Sequence, residues 1–234
     1  MDKYNLEVLT EARRYTAFLL NEIIRASNGA RGGLDFGAGS GTFALPLRAK
    51  GFQITCVEAD KLLLERLRAA GFEAYHSLDQ IPDQSCEYVY SLNVLEHVPD
   101  DESILRQIFR KLMPGGRLFI YVPAFNLLYS SMDRKVGHLR RYNLQSILKK
   151  IKMAGFRSEE AAYADSLGFF VTLIYKWVGN RSGNINILAL KVFDTVIFPI
   201  SRFLDNIGLN RFFGKDLMFI ARRPGGSSAL CQGD

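Results

Sequence analysis

The chain has 234 residues, 48% hydrophobic and 23% charged, which suits one large α/β domain with its own core and excludes a disordered polypeptide. Its formal charge of +6 is dispersed, without the run of like charges that marks a nucleic-acid-binding tail. Cys56, Cys86 and Cys231 are an odd set with no CxxC pair, so neither a disulfide framework nor a zinc site is expected, and a reducing compartment fits.

The N-terminus Met1-Asp2-Lys3-Tyr4 is polar and unlike a signal peptide. No run reaches the roughly 18 uncharged apolar residues of a membrane span. A cytoplasmic protein, soluble or membrane-peripheral, is expected. Residues 4–27 read as an amphipathic helix ended by Asn28-Gly29. A strand over Leu34–Phe36 and a helix over Thr42–Lys50 follow. Next come a strand over Phe52–Val57, a helix over Lys61–Ala70, and strands over Phe72–Tyr75 and Glu87–Leu92. Asp100-Asp101 opens a helix whose acidic first turn and basic Arg110-Lys111 end both suit the helix dipole. Pro114-Gly115-Gly116 stops it, and Arg117–Val122 reads as the fifth strand.

Asn143 caps a further helix through Ala154. Phe156–Ala164 and Leu217–Ala221 complete seven strands, separated by an apolar insertion over 166–215. Alternating strands and helices imply a Rossmann-like α/β sheet with helices on both faces. We therefore expect a single domain over 1–223: an N-terminal helix (1–30), a ligand-binding half (31–123) and a second half (124–223) with the insertion. Residues 224–234 have the composition of a disordered tail.

The main chemical signal is Asp35-Phe36-Gly37-Ala38-Gly39-Ser40-Gly41-Thr42. Alternate glycines after a strand let a ligand press against the backbone at the start of the next helix. The dinucleotide pattern G-x-G-x-x-G would require glycine at position 42, which is threonine. An acid at the strand end would also repel a pyrophosphate, whereas Asp35 suits a ligand carrying an ammonium group. Glu58, after the second strand, can accept hydrogen bonds from two ribose hydroxyls.

These segments, with Val57-Glu58-Ala59-Asp60, Ser91 to Val98 and Leu112-Met113-Pro114-Gly115-Gly116, resemble the ordered motifs of class I S-adenosylmethionine-dependent methyltransferases, in particular the type 11 group. The resemblance covers roughly residues 30–123. It implies a seven-stranded sheet with an antiparallel last strand and S-adenosylmethionine across the strand ends. It also implies contacts from Asp35, Gly37, Gly39 and Glu58. Ala38, Gly41, Ala59 and Asn93 complete the expected cofactor set. Many relatives carry an acid after the third strand; here Tyr75-His76-Ser77-Leu78-Asp79 leaves adenine to Ser77 and Leu78 or to Asp79.

Methyl transfer requires the acceptor to be held at attack distance and, for a hydroxyl, deprotonated. His97 and His138 are the candidate catalytic residues; the alternative for His97 is a hydrogen bond that only fixes the loop. Asn93 replaces the first acid of the Glu-x-x-Glu-His metal motif that this segment resembles in quinone-pathway O-methyltransferases, so no metal is expected. Arg134, Arg140, Arg141 and Tyr142, near Lys135 and His138, form either a clamp for an anionic acceptor or a solvated loop. Their segment resembles the GHxRRY stretch of a type 11 subgroup tied to sugar and lipid-linked glycan pathways. In the insertion, Val192, Val196, Ile197, Phe198 and Phe203 make a wide apolar face, with a kink expected at Pro199. We expect 185–205 to form a helical lid on the substrate side; a dimer interface or a membrane contact is the alternative.

The sequence thus leads us to expect O-methylation of a small or lipid-linked acceptor by a monomer or homodimer, with no nucleic-acid partner. A non-catalytic cofactor-binding or membrane-docked accessory protein, and a quinone-type aromatic methyltransferase, stand as alternatives.

Overall fold

A helix that returns the chain to the same end of the sheet makes the next strand parallel. The computed structural model describes residues 12–178 and 187–225. Its seven strands are β1 (Gly32–Phe36), β2 (Gln53–Val57), β3 (Ala74–Tyr75), β4 (Cys86–Leu92), β5 (Leu112–Pro123), β6 (Arg157–Ala164) and β7 (Asp216–Arg222). They lie in the order β3-β2-β1-β4-β5-β7-β6. The first five pair in parallel, and β7 inserts antiparallel between β5 and β6. The strand order reverses direction between β1 and β4, so the helices that follow these strands diverge to opposite faces and leave a crevice at the strand C-termini.

Period-two alternation divides the core. Tyr88 and Tyr90 face one layer, with Tyr15, Leu19 and Ile23 of α1 (Arg13–Ser27), Leu47 of α2 (Ala44–Ala49) and Leu64 and Leu67 of α3 (Lys61–Ala69). Val89, Leu118 and Ile120 face the other, against Leu105 and Ile108 of α4 (Asp101–Lys111) and Ile147 and Ile151 of α6 (Leu144–Met153). Between them in sequence, α5 spans Ser131–Val136.

Several boundaries differ from expectation. Residues 40–43 turn before α2 begins at Ala44, and β3 is confined to two residues. Pro114-Gly115-Gly116 lies inside β5 as an irregularity. The register there jumps from Cys86 opposite Leu112 to Tyr88 opposite Arg117. The expected start of the first helix at residues 4–11, and the tail from 226 onward, lie outside the described residues.

The insertion forms α7 (Ser166–Val178), α8 (Ile187–Val192), a π-type turn over Phe193–Ile197 and α9 (Phe198–Asn206). The irregularity expected at Pro199 is this widened turn, immediately before the proline. Leu167 N–H donates to Ser201 Oγ at 2.9 Å and Ser166 N–H to Asp205 Oδ1 at 3.2 Å. The start of α7 therefore lies beside α9.

The insertion is anchored to α1. Arg14 and Tyr15 N–H, at the start of that helix, donate to the buried Asp194 carboxylate at 3.1 and 2.9 Å. Phe198 packs edge-on against Tyr15 at 5.3 Å and tilted on Phe18 at 5.7 Å. Asp194 thus caps from 180 residues away a helix whose own N-cap, Ala12, has no capping side chain. Asp194→Ala should lower stability by about 1–3 kcal/mol in urea unfolding. Thr195→Ala, at an exposed position, should change it by about 0.5 kcal/mol or less.

Candidate active site

β1 ends at Phe36, and the chain must reverse within a few residues to start the next helix. Gly37, Gly39 and Gly41 make that turn with φ of 84°, 56° and 83°, angles that L side chains rarely adopt. A Cβ on Gly37 would lie 2.2 Å from Val94 Cγ2, so the loop is seated directly on the segment after β4. Gly37 and Ala38 N–H donate to Val57 O at 2.8 and 3.1 Å, which pins the turn to the end of β2.

Two carboxylates flank it. Glu58 accepts from Gly39 N–H at 2.7 Å with one oxygen and from Asp60 N–H at 2.8 Å with the other. Each oxygen keeps a lone pair for a further donor. Asp35 is buried and accepts from Tyr90 O–H at 2.9 Å. Burial, and to a smaller degree the charge of Glu58, push its carboxyl up to about 7 against the opposing Tyr90 hydrogen bond. A ligand ammonium beside it would reverse that shift.

These groups open into a cleft of about 600 Å³ at the C-terminal strand ends. Of the expected cofactor residues, Asp35, Gly37, Ala38, Gly39, Glu58, Ala59, Ser77, Leu78 and Asn93 all line it, as does Asp79. Gly41 does not: a Cβ at that position would face Leu67 and Leu45, so its place is in the turn beneath. Asn93 sits at φ 53°, a left-handed position that Asn tolerates, and turns the chain from β4 into the cleft wall. Missed from sequence were Tyr15, Thr16 and Leu19 of α1, which wall the cleft together with Ile104 and Gln107 of α4. The spacing of Tyr15 and Leu19 by one helical turn was the available signal. The Tyr15 hydroxyl is fixed below by Tyr121 and Asp216.

His97 lines the same cleft. Its Nδ1 lies 3.2 Å from Gly137 O, and since a carbonyl only accepts, Nδ1 carries the proton. Nε2 is then a lone-pair acceptor; it is buried and unpartnered. Burial, then neighbouring His138, lower His97 to about 4, so the ring is neutral at pH 7. The rings of His97 and His138 meet edge-on at 4.7 Å. His138 Nδ1 is 2.8 Å from Asp133 Oδ1, and its Nε2 lies 3.6 Å from Glu96 Oε1. Glu96 is fully buried with neither carboxyl oxygen in a hydrogen bond, and burial raises it to about 8. Donor atoms of Glu96, His97 and His138 all lie within 4.8 Å of one another, a set able to share a proton or to hold a cation.

The expected anion clamp is not assembled. Arg141 binds both oxygens of Asp133 at 2.8 and 3.2 Å and reaches Ala124 O. Arg140 is held by Pro99 O and by Asp101 at 3.2 Å, and the buried Tyr142 donates to Asp101 at 2.7 Å. Arg134 is exposed, and none of these four residues lines the cleft. Buried acids take up the arginine forks, so the segment braces the loop that carries His138. Nor does the insertion form the expected lid, since none of its described residues lines the cleft.

A glycine loop on a parallel sheet, an acid at the end of each of the first two strands and a cleft at the strand ends define a class I methyltransferase architecture. A family model described as a methyltransferase domain matches residues 4–161, and the chain belongs to that family, as an S-adenosylmethionine-dependent member of class I. Over 98 residues it is 37% identical to a ubiquinone biosynthesis O-methyltransferase of Aeromonas salmonicida, a match covering 37% of this chain and 41% of that protein. The chain thus spans less than half the length of the curated relatives it matches. Among solved structures, an S-adenosylmethionine-dependent methyltransferase from Archaeoglobus fulgidus superposes with a TM-score of 0.64 at 19% identity, covering 94% of this chain and 100% of that one. Phosphoethanolamine N-methyltransferase 2 of Haemonchus contortus, solved with S-adenosylmethionine, superposes with a TM-score of 0.54 at 21% identity, covering 83% and 49%.

The residues present fit that cofactor: a buried acid awaiting a cation, a second acid with spare lone pairs, and a loop with no room for a Cβ at Gly37. An acid raised above its unfolded pKa makes the folded chain bind more protons, so it lowers stability as pH rises from about 4 to about 7. Asp35→Asn should therefore raise the melting temperature of the cofactor-free protein at pH 8, with a gain that shrinks towards pH 4. Added S-adenosylmethionine should raise the melting temperature of wild type at pH 8 and hardly that of Asp35→Asn. A variant with a lower melting temperature at pH 8 and an undiminished cofactor response would remove Asp35 from the ammonium site.

Proposed function

We propose that the chain methylates an oxygen on a small or lipid-linked acceptor that carries no anionic group at the reacting end. The observation that carries this is His97: it stands on the cleft wall, neutral, with Nδ1–H committed to Gly137 and Nε2 left as a lone pair. S-adenosylmethionine, when bound, supplies an electrophilic methyl group on a sulfonium.

Asp35 would hold the cofactor's ammonium and Glu58 the ribose hydroxyls, while the Gly37–Gly39 backbone passes beneath. Leu92, Val94, Val98, Pro99 and Ile104 make the adjoining wall apolar, which excludes water and suits an aromatic or otherwise apolar acceptor. Among the described residues the cleft has no lysine or arginine, which disfavours a phosphorylated acceptor. Nε2 is covered in this conformation, so a small shift of the ring must open it to the cleft; a hydroxyl reaching it would then be oriented and would surrender its proton there as its oxygen takes the methyl group. His138, whose Nδ1–H is held by Asp133 and whose Nε2 keeps a lone pair, is the group to which that proton can pass.

The Gly137-His138-Leu139-Arg140-Arg141-Tyr142 segment supports membership of the GHxRRY subgroup, with a bracing role for its arginines. The names of the matched relatives support oxygen as the acceptor atom and favour an aromatic, quinone-type acceptor within the proposed class.

His97→Ala should lower kcat by about 10²- to 10⁴-fold with little change in cofactor Kd. The amide of His97→Gln, which cannot take up a proton, should not restore it. With Asp35 titrating near 7 and His97 only near 4, cofactor KM should rise as pH falls from 8 to 6, with no further limb from His97 above pH 5. Chelators should leave the rate unchanged. Loss of activity on chelation, restored by a divalent metal, would reassign Glu96, His97 and His138 to a cation.

A further inference from the structure

The insertion leaves an apolar face uncovered. Along α8, the π-type turn, α9 and its C-cap, Val192, Val196, Ile200, Phe203 and Ile207 follow one another at intervals of four, four, three and four, and all are exposed, Phe203 by 64%. A helix with that spacing presents them as one stripe. Beside α9, α7 carries its own exposed stripe of Phe170, Ile174 and Trp177, the last 82% exposed. The opposite side of each helix is occupied by internal contacts, from Phe198 to Tyr15 and from Leu167 to Ser201.

Charge is segregated in the same segment. Residues 166–215 hold six basic residues against two acids, a net charge of +4 in a chain of +6. Both acids, Asp194 and Asp205, are buried and turned inward, one to the start of α1 and the other to Asp165 and Ser166. Among the described residues of this segment, the exposed charges are cationic: Lys176, Lys191 and Arg211.

We propose that α7, α8 and α9 form a docking surface for an anionic phospholipid bilayer. No helix among the described residues is long and apolar enough to cross a membrane, so the surface lies in the headgroup region, with its stripes in the acyl boundary and its cations among the phosphates. A second copy of the chain is the poorer occupant. A two-fold contact sets the same patch against itself, and this patch would bring cations to cations with no exposed acid to answer them. An exposed tryptophan at the rim of an apolar stripe also suits the membrane interface. The surface is separate from the cleft, and the proposal holds whether or not the methyl-transfer chemistry does.

Trp177 is the only tryptophan in the chain, so intrinsic emission reports directly on this face. Full-length protein is mixed with vesicles of equal parts phosphatidylglycerol and phosphatidylcholine, or of phosphatidylcholine alone, without cofactor. The mixed vesicles should co-sediment the protein, shift its emission to the blue and lose it at high salt; the neutral vesicles should bind at least about tenfold more weakly. Ile200→Asp with Phe203→Asp should abolish the shift. Lys191→Glu with Arg211→Glu, which leaves the apolar stripe intact, should weaken binding to the mixed vesicles at least about tenfold while leaving the circular dichroism unchanged. Unchanged emission and no co-sedimentation with the mixed vesicles overturn the proposal. So does a concentration-dependent dimer that shields Trp177 in lipid-free buffer.

Discussion

Two carboxylates held at the ends of adjacent parallel strands set the terms for the whole site. Asp35 is buried beside β4, and Glu58 reaches back across the glycine loop to Gly39 N–H. The Asp35 arrangement is costly on its own: burial strips that acid of water, and Glu58 lies close enough to raise it further. Parallel pairing of β1 with β2 and β4 places both acids on one rim, and the glycines let the intervening chain bend tightly enough to keep them there. A cationic ligand with vicinal hydroxyls answers both groups at once, and the stored cost becomes binding energy.

The second half of the chain shows how charged groups that look free in a sequence become committed in a fold. Arg140, Arg141 and Tyr142 meet Asp101 and Asp133, acids that are themselves buried and need partners. This network holds Leu139 N–H on Glu96 O at 2.8 Å and sets His138 against His97. The histidine pair is thus a product of the brace. The Glu96 carboxyl, fully buried and with neither oxygen in a hydrogen bond, is the group whose requirements the brace leaves open.

Much of the sheet was legible because its signals are local. Short apolar runs, glycine turns and caps such as Asn143, which accepts from Ser146 N–H, depend on residues a few positions apart. The glycine turn after β1 was legible for the same reason. Contacts between distant parts of the chain were not. Nothing near Arg14 announces Asp194, and nothing near Arg141 distinguishes a fork aimed at a ligand from one aimed at Asp133. Phe198 and Phe203 illustrate the same limit: both lie on the apolar face read from the sequence, yet Phe198 is in the core and Phe203 is in solvent. Periodicity gave a face wide enough for two neighbours and could not tell which part of it the protein itself would use.

The central claim is that the rim formed by Asp35, the glycine loop and Glu58 binds S-adenosylmethionine. Titration calorimetry with S-adenosylmethionine, S-adenosylhomocysteine and NADH on wild type and Gly39→Arg tests it most directly. We expect saturable binding of the first two at one site per chain, no binding of NADH, and loss of all binding in Gly39→Arg with its circular dichroism intact. Tight NADH binding with no heat from S-adenosylmethionine, or cofactor binding that survives an arginine at position 39, would contradict the account.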